Sequence, residues 1–229
     1  MTRPSLLSRY SHVFLFGALL LLVGVQPFFH GALFGTALIH ISLFGSLIVS
    51  GFSCAANKRQ IIGFLACAGP TIAIGAIWWM TGAQHFQNTY LALSALSTLY
   101  VVVLILFDIF RTTGVSANTV FGALAVYLLM GVLWTYLYAV LEFFCPGSFN
   151  FGARDIVPGE EAKLRNLLGF SFTTLTTLGY GNITPTEPRG DALTSLEAIT
   201  GQIYLTVLVA RLVGIQVSQH VARQAKREA

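Results

Sequence analysis

Seven consecutive residues, Thr176-Thr177-Leu178-Gly179-Tyr180-Gly181-Asn182, bring together types that suit one kind of chemistry. A potassium ion entering a narrow passage must lose its water, and only oxygens of suitable field strength replace that shell. Backbone carbonyls serve, because they are dipoles without full charge and hold the ion weakly enough to release it. Aiming successive carbonyls the same way needs backbone conformations that alternate across φ. Gly179 and Gly181 reach positive φ without a Cβ clash. Thr177 adds a hydroxyl as the innermost oxygen, while Leu178 and Tyr180 point away and pack to set the width. One such run makes one wall. With no internal repeat in the chain, four copies around a cyclic axis are expected.

The elements that would position this run are read from apolarity. The chain has 229 residues, of which 55% are hydrophobic and 10% charged, and its mean hydropathy is +0.73. Soluble domains carry roughly a quarter charged residues, so a membrane protein is expected. An apolar helix crosses a bilayer in about 20 residues, and six candidates run near 13–25, 32–51, 61–79, 91–107, 120–144 and 193–217. The first shares the apolar length of a signal peptide, but no small-x-small cleavage site follows it, and it is read as a span. Placing the N-terminus in the cytoplasm puts Arg3, Arg9, Lys58, Arg59, Arg111, Arg223, Lys226 and Arg227 inside, as the positive-inside rule asks. Trp78, Trp79 and Tyr90 then fall at the outer interface.

The segment between the fifth and sixth spans lies outside in this orientation. Residues 167–178 are apolar but too short to cross, which reads as re-entrant. Pro158, Glu160 and Glu161 supply helix-start chemistry, so a short helix from about 159 to 176 would dip inward and place 177–181 on the way out. Non-helical backbone at membrane depth is tolerated only when buried in protein or lining a water-filled path.

This part of the chain resembles the potassium channel superfamily with six spans per subunit, in its prokaryotic ion-channel group. The resemblance covers the pore unit, about 120–217. Thr-Thr-Leu-Gly-Tyr-Gly stands where the family signature has Thr-Thr-Val-Gly-Tyr-Gly. It implies that Thr177, Leu178, Gly179 and Tyr180 contribute carbonyls to K+, with Gly181 completing the filter and Thr176 supporting it. Asn182 replaces a common Asp, which removes a charge from the outer mouth and any inactivation that depends on it. Thr173 stands behind the filter where some relatives carry a Glu. Gly201 stands where the family has a glycine at which the inner helix bends; close packing by a small residue explains it equally. Helical spacing from Gly201 puts Leu205, Val209 and Val213 on one stripe, either an inner constriction or ordinary core.

Other residues carry less. In the superfamily the fourth span often holds arginines at every third position, and 91–107 holds no Lys or Arg, so steep voltage gating is not expected. Asp108 and Arg111 read as a solvated pair. His40, at depth in the second span, is either a titrating group or a neutral hydrogen-bonded one. Glu142 and Glu197 are candidates to sit behind the filter and bond its backbone or the pore helix. Three cysteines give neither a disulfide framework nor a metal spacing.

The expected fold is an all-α membrane protein of six spans with a re-entrant pore helix, assembling as a homotetramer in the cell membrane with both termini cytoplasmic. Residues 1–112 form a non-voltage-sensing module, 113–221 the pore domain, and 222–229 a short basic tail with no room for a ligand-binding domain. The expected function is passive K+-selective conduction, with no catalysis, no cofactor beyond the permeant ion, and no partner but K+, lipid and copies of itself. Nucleic acid is not expected, since no basic stripe lies outside membrane-flanking positions. A non-selective cation channel is the nearest competitor, followed by a non-conducting regulatory protein of the same fold. A transporter subunit would need four filter repeats in one chain.

Overall fold

The computed structural model describes residues 11–25, 58–111, 116–152 and 160–228. Helix α1 spans Ser11–Val25, α2 Lys58–Thr81, α3 Gln84–Arg111, α4 Ala117–Phe144, α5 Glu160–Leu175 and α6 Pro188–Glu228. Two short strands, β1 (Phe149–Asn150) and β2 (Thr184–Pro185), pair antiparallel with Phe149 opposite Pro185 and Asn150 opposite Thr184. Among the described residues the regular structure is helical apart from this ladder, which apolar periodicity cannot reveal in strands of two residues. The expected span at 32–51, with His40, lies outside the described residues.

Helix ends follow local chemistry. Ser116 caps α4, its hydroxyl accepting from the Thr119 amide at 3.2 Å, as an N-cap serine does. Gly82, at φ +63°, ends α2 in a left-handed cap with its amide donating to Trp78 O at 2.7 Å. Pro70 sits inside α2 and supplies no amide. At the next residue, Thr71 Oγ1 donates to Cys67 O at 2.8 Å, and Ser97 Oγ of α3 reaches the same carbonyl at 3.2 Å.

Among the described residues, three helices are long and apolar enough to cross a membrane: His85–Arg111, Ala117–Phe144 and Pro188–His220. They correspond to the expected fourth, fifth and sixth spans. The expected first and third spans contain shorter apolar helical stretches, His12–Leu21 and Leu65–Trp78.

Helix α4 is the hub. It packs against α1, α3, α5 and α6, while α2 reaches it through α3. At one level Leu15 and Leu19 of α1, Val101 and Ile105 of α3, and Val126 and Leu129 of α4 share a buried cluster with Leu175 of α5. Towards the other end of α4, Tyr136 packs with Tyr90 of α3 and with Leu164 and Leu168 of α5. A third cluster, Tyr138, Phe149, Phe151, Leu167, Phe170 and Ile183, seats the ladder on α4 and α5. The loop that follows α5 is thus held between elements already fixed to one helix.

Candidate functional site

Helix α5 has 16 residues, about 24 Å of rise, and the Thr176–Asn182 run begins where it stops. Its last turn tightens: Thr176 N donates to Phe172 O at 3.1 Å and Thr177 N to Thr174 O at 2.9 Å. Gly179 N then turns back to Thr173 O at 3.1 Å. Beyond the helix the backbone alternates, with positive φ at Thr177 (59°), Gly179 (56°) and Gly181 (71°) and not at the residues between. Glycine reaches this region freely. Thr177 does not, because a β-branched residue there is a genuine outlier. No local signal marks it in the sequence, since threonine disfavours the conformation it adopts.

The side chains of the run divide. Thr176 Oγ1 donates to Phe172 O at 2.6 Å, and Thr177 Oγ1 donates to Thr176 O at 2.7 Å. Leu178 is 57% exposed and Tyr180 71%, so in the single chain neither is packed. Thr173 supports the run through its carbonyl, while its hydroxyl donates to Phe170 O at 2.9 Å. Asn182 has an exposed side chain. A Cβ on Gly152, itself at φ +56°, would lie 3.3 Å from the Asn182 carbonyl oxygen.

The exit from the run is pinned. Ile183 is buried in the aromatic cluster, and the next two residues are β2. Thr186 N donates to Ser148 O at 2.9 Å, and its hydroxyl to Gly147 O. A Cβ on Gly190 would fall 2.9 Å from Pro185 Cβ, so the first turn of α6 closes tightly over β2.

Behind the run, three helices converge on Glu197. This carboxyl is fully buried. Tyr138 of α4 donates its hydroxyl hydrogen to Oε2, and Ser171 Oγ of α5 lies 2.5 Å from Oε1. Ser171 Oγ is also 2.7 Å from Gly131 O of α4. Glu197 is thus brought to α5, the helix expected as one of its two partners. Glu142, which the sequence leaves equally open as an interface carboxylate facing water, instead meets the turn beyond α4. Its carboxylate accepts from Gly147 N at 2.9 Å and Phe149 N at 3.2 Å, because the chain turns back beyond α4 and leaves those amides beside it.

The C-terminus of α5 is gripped from two sides. Tyr127 of α4 donates to Leu175 O at 3.1 Å, and the backbone of Gly201 comes so close that an added Cβ would sit 2.7 Å from that same oxygen. Phe172 rests on Gly131, where a Cβ would meet the ring edge at 2.7 Å. Gly201 thus packs its backbone directly on the end of α5. It does not interrupt the helix, since α6 runs unbroken over Pro188–Glu228. Leu205 is half-buried, while Val209 and Val213 are 58% and 54% exposed.

Three contacts away from the run escaped the sequence reading. His12 of α1 donates its amide to Asn118 Oδ1 at 3.1 Å, with its ring Nδ1 3.0 Å from Asn118 Nδ2. Arg211 of α6 lies over the Phe110 ring of α3, 4.6 Å from its centroid. Tyr204 of α6 donates to Ala123 O of α4 at 2.6 Å. Their partners are 106, 101 and 81 residues apart, a separation no local pattern records. Among the described residues no group of three His, Cys, Asp or Glu side chains is placed to hold a metal.

A family model described as an ion channel matches residues 98–217. The match begins in the second half of α3 and covers α4, the run and most of α6. No curated protein and no solved structure matches the chain.

Proposed function

The chain belongs to the ion channel family, and from that premise we propose that it is a potassium-selective channel, a homotetramer whose Thr176–Asn182 runs meet around one axis. In this reading Thr177, Leu178, Gly179 and Tyr180 present carbonyls to K+ and Gly181 completes the turn outward. The observation that carries it is the alternation of positive φ at Thr177, Gly179 and Gly181, the backbone pattern a carbonyl-lined wall needs. Helix α5 ends at this run, so the negative end of its dipole favours a cation there.

Helix α5 is then re-entrant, and six spans with both termini cytoplasmic follow from the charge map. Residues 1–112 form a peripheral module, 113–221 the pore domain and 222–229 the basic tail, in the cell membrane. The assembly is supported by α6, of whose most apolar stretch only 6% is buried in one chain, and by the exposure of Leu178 and Tyr180. No catalysis is involved.

The test is K+ against Na+ flux into liposomes holding the purified protein, with Gly179→Ala as control. K+ flux that greatly exceeds Na+ flux and is lost in the variant supports the reading. Equal flux of the two ions would assign the runner-up, a non-selective cation pore.

A further inference from the structure

The carboxyl of Glu197 is surrounded by more hydrogen-bond contacts than an ionised network has hydrogens. Three oxygen–oxygen contacts run in series: Tyr138 Oη to Oε2, Oε1 to Ser171 Oγ at 2.5 Å, and Ser171 Oγ to Gly131 O at 2.7 Å. A hydroxyl carries one hydrogen and a carboxylate none. If Glu197 were ionised, Tyr138 and Ser171 would supply two hydrogens for three contacts. Ser171 would then face the Gly131 carbonyl with lone pairs only, and a buried close contact without a hydrogen is costly. If Glu197 carries a proton, the count closes. Tyr138 donates to Oε2, Glu197 donates from Oε1 to Ser171, and Ser171 donates to Gly131 O, which also takes the Thr135 hydroxyl at 2.8 Å.

The surroundings agree. Glu197 is fully buried, and among the described residues it makes no ion pair. An isolated buried charge is resolved by neutralising the group. The ionisable groups facing it are Tyr138 and Tyr127 of α4; α5 presents the neutral Ser171. Among the described residues no cation is paired with this carboxyl.

We propose that Glu197 is a neutral carboxylic acid, and that its proton is a structural tie joining α6 to α5 and α4 behind the pore loop. Glu197 is a positioning residue that acts through Ser171, four residues before the end of α5. The consequence for conduction rests on the channel reading; the protonation itself does not. Glutamine mimics the acid, since its carbonyl accepts from Tyr138 and its amide donates to Ser171.

The test compares the full-length protein with Glu197→Gln and Glu197→Ala. The infrared difference between wild type and Glu197→Gln at neutral pH is expected to show loss of a protonated-carboxyl C=O stretch. Loss of carboxylate bands alone would overturn the proposal. Glu197→Gln is expected to keep the thermal midpoint and the flux of the wild type, while Glu197→Ala loses both. A glutamine variant that misfolds, or is as impaired as the alanine one, would also overturn it. The infrared and melting readouts decide the matter even if the liposomes show no K+ preference.

Discussion

Thr177 holds a backbone conformation that its own side chain opposes, and it does so between two helix-end hydrogen bonds and two glycines. Strain of this kind costs on the order of 1–3 kcal/mol and persists only where surroundings over-determine it. Here the surroundings are Thr177 N on Thr174 O and Gly179 N on Thr173 O. Gly201 is fixed by contact instead. An alanine there would press a methyl into the Leu175 carbonyl at 2.7 Å, and backbone cannot swing aside as a side chain can. We expect Gly201→Ala to destabilise the detergent-solubilised protein by about 1–3 kcal/mol, read as a lower thermal midpoint. A variant that alters gating while leaving the midpoint unchanged would favour the hinge reading of Gly201 over the packing one.

At the scale of elements, α4 carries the organisation, and its partners were legible to different degrees. Apolar length placed it well, 120–144 expected against Ala117–Phe144 found. The short helix was expected over 159–176 and is found at Glu160–Leu175. The first is a long apolar stretch, and the second a short one announced by Pro158, Glu160 and Glu161 at its start, signals that are local in the sequence. The seven-residue run was legible because two glycines at fixed spacing are a local requirement of the backbone. What was not legible joins residues far apart in the chain. Glu142 and Glu197 are both carboxylates near span ends, with Glu197 set apart in sequence only by its apolar neighbours Leu196 and Ala198. The return of the chain beyond α4 separates them, giving Glu142 two loop amides and Glu197 two hydroxyls. Phe110 and Arg211 similarly link the end of α3 to α6 without a motif. A cation–π contact is worth about 0.5–2 kcal/mol. Phe110→Ala is therefore expected to shift an open–closed equilibrium of the inner helix by a few-fold or more in single-channel records. An unchanged open probability would show that the contact is indifferent to gating.

For the whole molecule, the peripheral helices share one core with α4 and carry little charge. Helix α3 has its basic residue, Arg111, in the last turn and no lysine or arginine before it. Steep voltage dependence needs several charges moving through the field. Conductance of the reconstituted protein is accordingly expected to vary smoothly between strongly negative and strongly positive potentials. A steep sigmoid with several gating charges per subunit would contradict that expectation.

The central claim is that backbone carbonyls of the Thr177–Gly181 stretch select K+. Alanine at Gly179, where φ is +56°, costs about 1–2 kcal/mol in each copy, enough to disturb a wall whose function depends on carbonyl direction. The measurement that tests the claim most directly is the reversal potential under bi-ionic K+ and Na+ conditions, in liposomes or planar bilayers holding the purified protein. The wild-type reversal potential is expected to be displaced strongly towards K+ selectivity, with the current lost in Gly179→Ala. A wild-type reversal near zero, or a current indifferent to Gly179→Ala, would contradict it.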